Sequence, residues 1–504
     1  MSYKHGIYVQ EEPTKLVAPV LCKFPQLVFG VAPINLVEDP YSVTNKPLVI
    51  LSMDDAKSKL GYSKNIKDYT LCQSMDASFK YFAVAPVIMI NVLDPSKHKS
   101  EVEASDYTIV NKQAKIPVEG LLLDKLVVKD SSSGTPGTDL VADEDYLASF
   151  DDDGNVIITV LSTGSAASAT KINVAGTKID PSKVTNIDII GGQDIETGND
   201  TGIELIRRIF PTTGYVPGIV LAPKYSKDPA VAAAIASKLE KVNGCFTLEA
   251  LVDLDCSDVG AKTYDDVKEK KEEAGLASPH IEPVWPMVKI NGKAYYYSAI
   301  FGAMITTNDY NNGNIPSLSA SNKPLPIDAI CLDNEENTEV FLDQEYANIV
   351  NAAGVVTAIN MKGFRSWGNN TAYFSEEINT PELVAQGKGV DPKDRWFNVR
   401  RFFSWWGNSF ILNFIDRVDD LTNIRLIESV VDEENIRGNS LTAQGHCAGA
   451  VISYNEDDNP ISNILQGKIV FKQKLAAYTP AEYISNTLEF SPDMLQEALT
   501  GGEE

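Results

Sequence analysis

Val216-Pro-Gly-Ile-Val-Leu-Ala-Pro, then Lys224-Tyr-Ser-Lys-Asp-Pro-Ala and an alanine-rich run to Val242-Asn-Gly, is the most clearly punctuated stretch of the chain. Residues 216–222 read as a buried strand. Asp228 and Pro229 supply an N-cap and a first-turn proline, residues 230–242 are helical, and Asn243-Gly244 stops the helix. Residues 246–254 are the return strand. A strand, helix, strand crossover of this length implies parallel pairing and hence an α/β core.

Working outward, residues 27–31 and 48–51 carry strand signals, and a helical segment over 71–82 leads into a strand at 87–93. Residues 98–190 change texture to short β-rich runs, such as 121–128 and 156–161. Ser131-Ser-Ser-Gly-Thr-Pro-Gly and Asp151-Asp-Asp-Gly-Asn separate them, as in a small all-β domain inserted into the core. A strand at 187–190 and a helix at 203–209 lead back to the crossover. Beyond it, 284–290 and 293–297 flank Asn291-Gly292, a type I′ hairpin signal. Strands near 327–332 and 355–361 frame a helix at 344–351. Apolar positions Trp405, Phe410, Phe414, Val418, Leu421, Ile424, Ile427 and Val431 keep near-helical spacing, and strand signals follow at 448–454, 468–474 and 483–490. The fold class expected is α/β (α+β) and multidomain: a layered mixed-sheet core, an inserted all-β domain, and extended N- and C-terminal arms.

Composition bounds the function. A chain of 504 residues exceeds what one core supports, and 43% apolar content suffices for well-buried cores. Lys+Arg 44 against Asp+Glu 69 leaves a net charge of −25, which repels phosphate backbones and anionic lipid, so direct nucleic-acid binding is not expected. Cys22, Cys72, Cys245, Cys256, Cys331 and Cys447 form no CxxC pair, as suits buried thiols in a reducing compartment. Met1-Ser-Tyr-Lys-His-Gly lacks the apolar run of a secretory signal, and no window is apolar enough for membrane insertion.

Catalytic constellations are thin. His5, His98, His280 and His446 are the four histidines, and none sits in a helix-spaced ligand pair. His446-Cys447 could pair as base and nucleophile, although adjacent side chains usually diverge. Gly191-Gly-Gln-Asp-Ile-Glu-Thr-Gly lacks the phosphate-loop spacing, and Asp194, Glu196 and Asp200 would repel phosphate. Asp151-Asp-Asp-Gly-Asn places its glycine too early for a calcium loop, leaving a hairpin turn. Asp253 and Asp255 end a strand where α/β enzymes often place active groups, but no partner motif accompanies them. No catalytic residue, metal or cofactor is expected.

The order of several stretches resembles the tail sheath proteins of contractile bacteriophages and phage-tail-like bacteriocins, over about 1–97 and 190–490. They are the arm Gly6-Ile-Tyr-Val-Gln-Glu-Glu-Pro, Gly202-Ile-Glu-Leu-Ile, Pro217-Gly-Ile-Val-Leu-Ala-Pro, residues 298–309, Phe364-Arg-Ser-Trp-Gly and Asn398-Val-Arg-Arg. Gly302-Ala303 and the polar loop 311–326 depart from the family pattern. The resemblance implies a structural subunit, not an enzyme, that stacks as six-fold rings in a helical sheath around an inner tube and contracts to drive the tube through an envelope. Its partners would be copies of itself (hexameric rings), the inner tail tube protein, and baseplate and tail-terminator proteins. Its place would be a virion tail or bacteriocin particle assembled in the host cytoplasm.

On that reading the chain divides into an N-terminal arm (1–21), a first core part (22–97), an outer β domain (98–190), a second core part (191–375), a tube-proximal domain (376–466), and C-terminal strands and arm (467–504). Strands at Gly6, Ile7, Tyr8 and Val9, at Ile469, Val470 and Phe471, and at Tyr483 and Ile484 would exchange between subunits by β-augmentation. Arg400 and Arg401 would contact acidic residues of the tube or a neighbour, or else form salt bridges inside the domain. Trp367, Trp405 and Trp406 are expected in the core. The alternatives are an α/β enzyme with an unrecognised site, which would show a cleft with perturbed carboxylates, or a type VI secretion-like sheath component, usually split between two proteins.

Overall fold

Six strands build the central sheet in the spatial order Ile281–Val284, Glu249–Asp253, Ile219–Leu221, Gln26–Gly30, Val87–Asn91 and Leu48–Ile50. The first five run parallel and Leu48–Ile50 closes the edge antiparallel. Every residue of Gln26–Gly30, Val87–Asn91, Glu249–Asp253 and Ile281–Val284 is buried. Layers cover both faces, which is why most of these strands read as unbroken apolar runs instead of alternating ones. The computed structural model describes residues 23–132, 134, 137–193, 195 and 198–500. The arm residues Gly6, Ile7, Tyr8 and Val9, and Asp194 and Glu196, lie outside the described residues.

The crossover has the expected polarity. The Asp228 carboxylate accepts from the backbone N–H of Ala230 (2.9 Å) and Val231 (3.4 Å), Pro229 sits in the first turn, and Ile219 and Val220 register with Glu249 and Ala250. Its helix, Pro229–Ala236, stops short of the expected 242. The Ser237 hydroxyl donates back to the Ala234 carbonyl at 2.7 Å, a local bond that competes with the helical ladder. Asn243 and Gly244, at φ 53° and 81°, instead turn a tight connection between Val242 and Phe246. Met287–Ile290 and Lys293–Tyr295 form the anticipated hairpin, with Asn291 and Gly292 at φ 51° and 74°. The helix Tyr297–Asn311 then runs buried against the sheet. A Cβ on Gly302 would stand 2.8 Å from Leu221 Cδ1, so any larger residue there would have to displace the Leu221 side chain from the helix–strand contact.

Residues 99–179 form two three-stranded antiparallel sheets. One is Lys99–Thr108, Lys171–Ile179 and Val127–Asp130; the other is Gln113–Ile116, Val156–Val160 and Tyr146–Phe150. They enclose an apolar cluster of their own that includes Ile116, Val128, Tyr146, Val156, Ile158 and Ile172. The run 187–190, expected as a strand, is instead the helix Asn186–Ile190. The Asp188 carboxylate accepts from the Thr185 N–H at 2.8 Å and the Thr185 hydroxyl at 2.9 Å, an N-terminal cap that outweighs a four-residue apolar run.

The C-terminal region departs further from expectation. The helical pattern over 405–431 is two helices, Phe397–Phe414 and Ile424–Ala443, separated by the turn Ile415–Arg417 and an Asn423 cap whose side chain accepts from the Leu426 N–H at 3.0 Å. Val418, Leu421 and Ile424 are exposed at the bend. Cys447–Tyr454 pairs antiparallel with Phe471–Ala477 as a two-stranded ribbon, and the Ile424–Ala443 helix lies against it. A Cβ on Gly438 would come within 2.7 Å of the Ala450 carbonyl oxygen. Residues 483–490 form no strand, and a helix not anticipated from the sequence, Pro492–Thr500, follows.

Candidate functional site

The helix Phe397–Phe414 docks on the core along a polar seam. Asn398, Arg401, Ser404 and Asn408 recur at helical spacing on one face and are all buried. The Asn398 amide donates to the Ser317 carbonyl (3.0 Å) and accepts from Asn369 (2.7 Å). Arg401 forks onto both carboxylate oxygens of Asp309, with Nη1 to Oδ1 at 3.2 Å. The Ser404 hydroxyl donates to Glu249 Oε1 at 2.5 Å, and Asn408 exchanges two bonds with the Thr247 backbone at 2.7 and 3.0 Å. Glu249 also meets His280 Nδ1 at 3.1 Å. A small cleft opens on this seam beside Phe24 and Trp405. Arg401 therefore adopts the intradomain alternative and presents no cation outward, while Arg400 pairs with Asp394 at 3.2 Å and stays partly covered.

Below the seam lies a second buried acid. Glu282 is fully buried on the edge strand, and neither carboxylate oxygen has a hydrogen-bond partner among the described residues. Burial pushes its pKa well above the carboxylate range, and only the Arg401 charge opposes the shift. The native state therefore holds this proton more tightly than the unfolded chain, whose value is ~4.3. The sign follows: its contribution is favourable below the unfolded pKa and declines as pH rises from there towards the folded pKa. Glu282→Gln should remove that decline. Urea midpoints of the variant and wild type, followed from about pH 5 to about pH 8, should diverge in the variant's favour as pH rises; parallel curves would contradict the assignment.

The ribbon is held by another network. Glu434 is 1% exposed and accepts from Trp406 Nε1 (2.7 Å), Gln473 Nε2 (2.9 Å) and Arg437 (2.7 and 3.0 Å). One carboxylate thus ties together both helices and the strand Phe471–Ala477. Nothing in the sequence singled it out; the available signal was an acid within an otherwise apolar helical period beside a tryptophan-rich helix. Trp406 is core, as expected, and Trp405 is half-buried, stacked on Phe402 at 5.8 Å. Trp367 is half-buried as well.

Of the expected exchange residues, Phe471 begins the ribbon's second strand opposite Tyr454 of its own chain. Ile469 and Val470 lead into it half-buried, and Asn459 brackets the Val470 backbone with bonds of 2.7 and 2.8 Å. Both outer edges of the ribbon lack a ladder partner among the described residues. Past Ala477 the chain is pinned once, by Glu482 to Arg395 at 2.5 Å, while Arg395 stacks over Trp396 at 3.9 Å. It then runs extended, with Tyr483, Ile484, Leu488 and Phe490 each at least 75% exposed.

The enzymatic candidates resolve into structural contacts. His446 Nδ1 meets the Ser317 hydroxyl at 3.0 Å, while Cys447 is buried near Thr442, so the two side chains diverge. Gly191 is required sterically, because a Cβ there would fall 1.9 Å from the Thr201 carbonyl oxygen, and Asp200 is taken by Arg207 and Arg208. Asp151 closes its own hairpin, accepting from the Asn155 N–H at 2.8 Å and the Lys115 ammonium at 2.7 Å. Asp253 accepts from the Ser298 N–H at 2.9 Å at the start of the Tyr297–Asn311 helix, and burial lifts it to about 6. Asp255 lies 3.4 Å from Lys227. No group of metal-competent side chains occurs among the described residues, and no described helix is long and apolar enough to cross a membrane.

No protein-family model matches the chain. It is 24% identical to the tail sheath protein of Burkholderia phage BcepMu across 99% of both chains. It is 23% identical to that of Escherichia phage P2, over 59% of this chain and 68% of the relative. Among solved structures, it superposes on a chain of the anti-feeding prophage baseplate with a TM-score of 0.56 at 14% identity, covering 97% of this chain and all of the other. On the contracted sheath complex of the extracellular contractile injection system PVC the TM-score is 0.54 at 13% identity, covering 98% and 99%. The chain thus shares its fold along almost its whole length with these two solved chains, and its sequence is similar over the same span to a phage tail sheath protein.

Proposed function

We propose that the chain polymerises as stacked six-fold rings in a helical sheath around an inner tail tube, and that the sheath contracts to drive the tube through a target envelope. The observation that carries this reading is a pair of complementary deficits. Among the described residues, the ribbon Cys447–Tyr454/Phe471–Ala477 has open edges, and the extended tail 483–490 has apolar side chains but no strand to join. Exposed edges invite pairing with another chain, and a tail that lends a strand to the next subunit fills both deficits at once. Repeated head to tail without closing, such contacts build a helical tube.

Tyr483 and Ile484 would enter a neighbour's ribbon on this reading, with Gly6, Ile7, Tyr8 and Val9 as a second lent strand. The bend between the two C-terminal helices, where Val418, Leu421 and Ile424 are exposed, would face the tube. The outer β domain (98–190) would point away from it. Baseplate and tail-terminator proteins would bound the sheath, in a virion tail or bacteriocin particle assembled in the host cytoplasm. Contraction then needs only a second, lower-energy packing of subunits that stay linked by their arms.

Electron microscopy and sedimentation of the purified chain test this directly. Hollow tubes are expected from the full chain. Deleting 1–21, or stopping after Ala477 so that the ribbon itself is kept, should abolish tubes while leaving the monomer's thermal unfolding unchanged. Tubes that persist without either arm would overturn the exchange mechanism.

A further inference from the structure

The helix Pro492–Thr500 packs on nothing among the described residues of its own chain: every residue in it is exposed, including Met494 (71%), Leu495 (50%) and Leu499 (78%), which with Ala498 form one apolar stripe. Nine residues are too few to hold a helix in water without a surface to lean on. One residue, Ser491, separates it from Phe490, the end of the extended tail. If the tail joins a neighbour's ribbon, the helix must therefore land on that same neighbour, within about a turn of one end of the ribbon.

The two ends differ. At the Cys447/Ala477 end the adjoining exposed residues are Ala443, Gln444 and Gly445, small or polar, and Tyr478, a single aromatic that belongs to the outgoing tail itself. At the Tyr454/Phe471 end, the connection between the strands carries the short helix Ile461–Ile464, from which Ile461 (69%) and Leu465 (79%) project exposed at i, i+4. Those two side chains are an apolar pair with no partner in their own chain among the described residues. Glu456, Asp457 and Asp458 stand beside them and would repel Asp493 and Glu497 of the arriving helix, so the contact is apolar in origin.

We infer that the C-terminal helix of one subunit seats Met494, Leu495 and Leu499 on Ile461 and Leu465 of a second copy of this chain, latching the lent strand in place. The latch also fixes the direction of exchange. The tail must run antiparallel to Phe471–Ala477, since that orientation brings Phe490 to the Phe471 end. In that strand Ile484, Leu488 and Phe490 share one face, and the latch sets which face turns inward.

The inference rests on the strand exchange proposed above, and the test separates the two. In a background with Cys22 and Cys245 replaced by serine, protomers carrying Leu465→Cys are mixed with protomers carrying Leu495→Cys, assembled, and treated with a short bismaleimide. Cross-linked dimers that need both variants are expected. Cross-links formed within a single chain bearing both substitutions at a dilution where no tubes form would overturn the inference, as would tubes that never cross-link between the two variants. Independently, Leu495→Asp with Leu499→Asp should raise the concentration needed for tube formation roughly tenfold or more, whereas stopping after Ala477 abolishes tubes. A background that never forms tubes would count against the exchange itself; tubes with an unchanged threshold in the double aspartate variant would count against the latch alone.

Discussion

Replacing Asp309 with alanine is expected to lower the unfolding free energy by about 3–5 kcal/mol, because the substitution strands a guanidinium that the fold has no other way to neutralise. Arg401 is 6% exposed and reaches Asp309, itself 11% exposed, through both terminal nitrogens. The nearby Glu282 cannot take over the pair without ionising in a site where burial holds its proton. Burial raises the Asp309 carboxyl pKa too, and the Arg401 charge and its hydrogen bonds pull it back, so the pair stands or falls together. Denaturant titration gives the loss. The partner experiment is the joint replacement Asp309→Leu with Arg401→Met, which should return to within about 2 kcal/mol of wild type, since removing both charges also removes their desolvation cost. If the single substitution is silent, the seam is wetter than its burial indicates and Arg401 has another counter-ion.

Glu434→Ala should cost a similar amount, about 3–5 kcal/mol, for a different reason: three donors lose one acceptor. Trp406 Nε1, the Gln473 amide and Arg437 all converge on this carboxylate, and alanine takes that acceptor from all three inside a packed junction, leaving Arg437 with the long bond to the Trp406 carbonyl at 3.4 Å. Glu434→Gln keeps an acceptor oxygen and should lose about half as much. The readouts are the denaturation midpoint and the emission of Trp406, which should shift as its indole N–H is freed. Because Gln473 lies on the ribbon, the alanine variant should also assemble poorly at temperatures where its monomer is still folded. A change below about 0.5 kcal/mol, typical of surface sites, would remove Glu434 from the account.

Which parts of this arrangement could be read beforehand depends on where their partners sit. The Asp228-Pro229 crossover and the Asn291-Gly292 hairpin were legible because caps and tight turns are decided by neighbours in sequence. Residues 187–190 were misread as a strand because four apolar residues suit either element, and the choice fell to the Thr185–Asp188 cap. The helical period over 405–431 ran on through a bend because its apolar positions there, Val418 and Leu421, are exposed and serve no core of this chain. The stretch from Tyr483 to Phe490 has the composition of a strand and is none, since a strand needs a pair and no described residue of this chain offers it a rung. Arg401 was visible as a charge next to Arg400, but its partner Asp309 is 92 residues away, and only the fold brings the two together.

The two-sheet β unit of residues 99–179 leaves and rejoins the chain on adjacent rungs of one sheet, Lys99 opposite Ile179. Backbones so paired stand about 5 Å apart, so excising the segment between them would leave two ends that a short turn can join. Of its described residues, Leu122 and Ile179 are the buried ones that reach into the main apolar cluster. The site is therefore a socket: a compact unit whose own termini lie side by side has the geometry to be spliced in there. The unit is also stitched to the core at its base, where Asn35 donates to the Leu121 carbonyl, Ser63 and Asn65 donate to Glu119, and Lys64 pairs with Asp153, so a replacement has to re-create those few contacts and little else of the core.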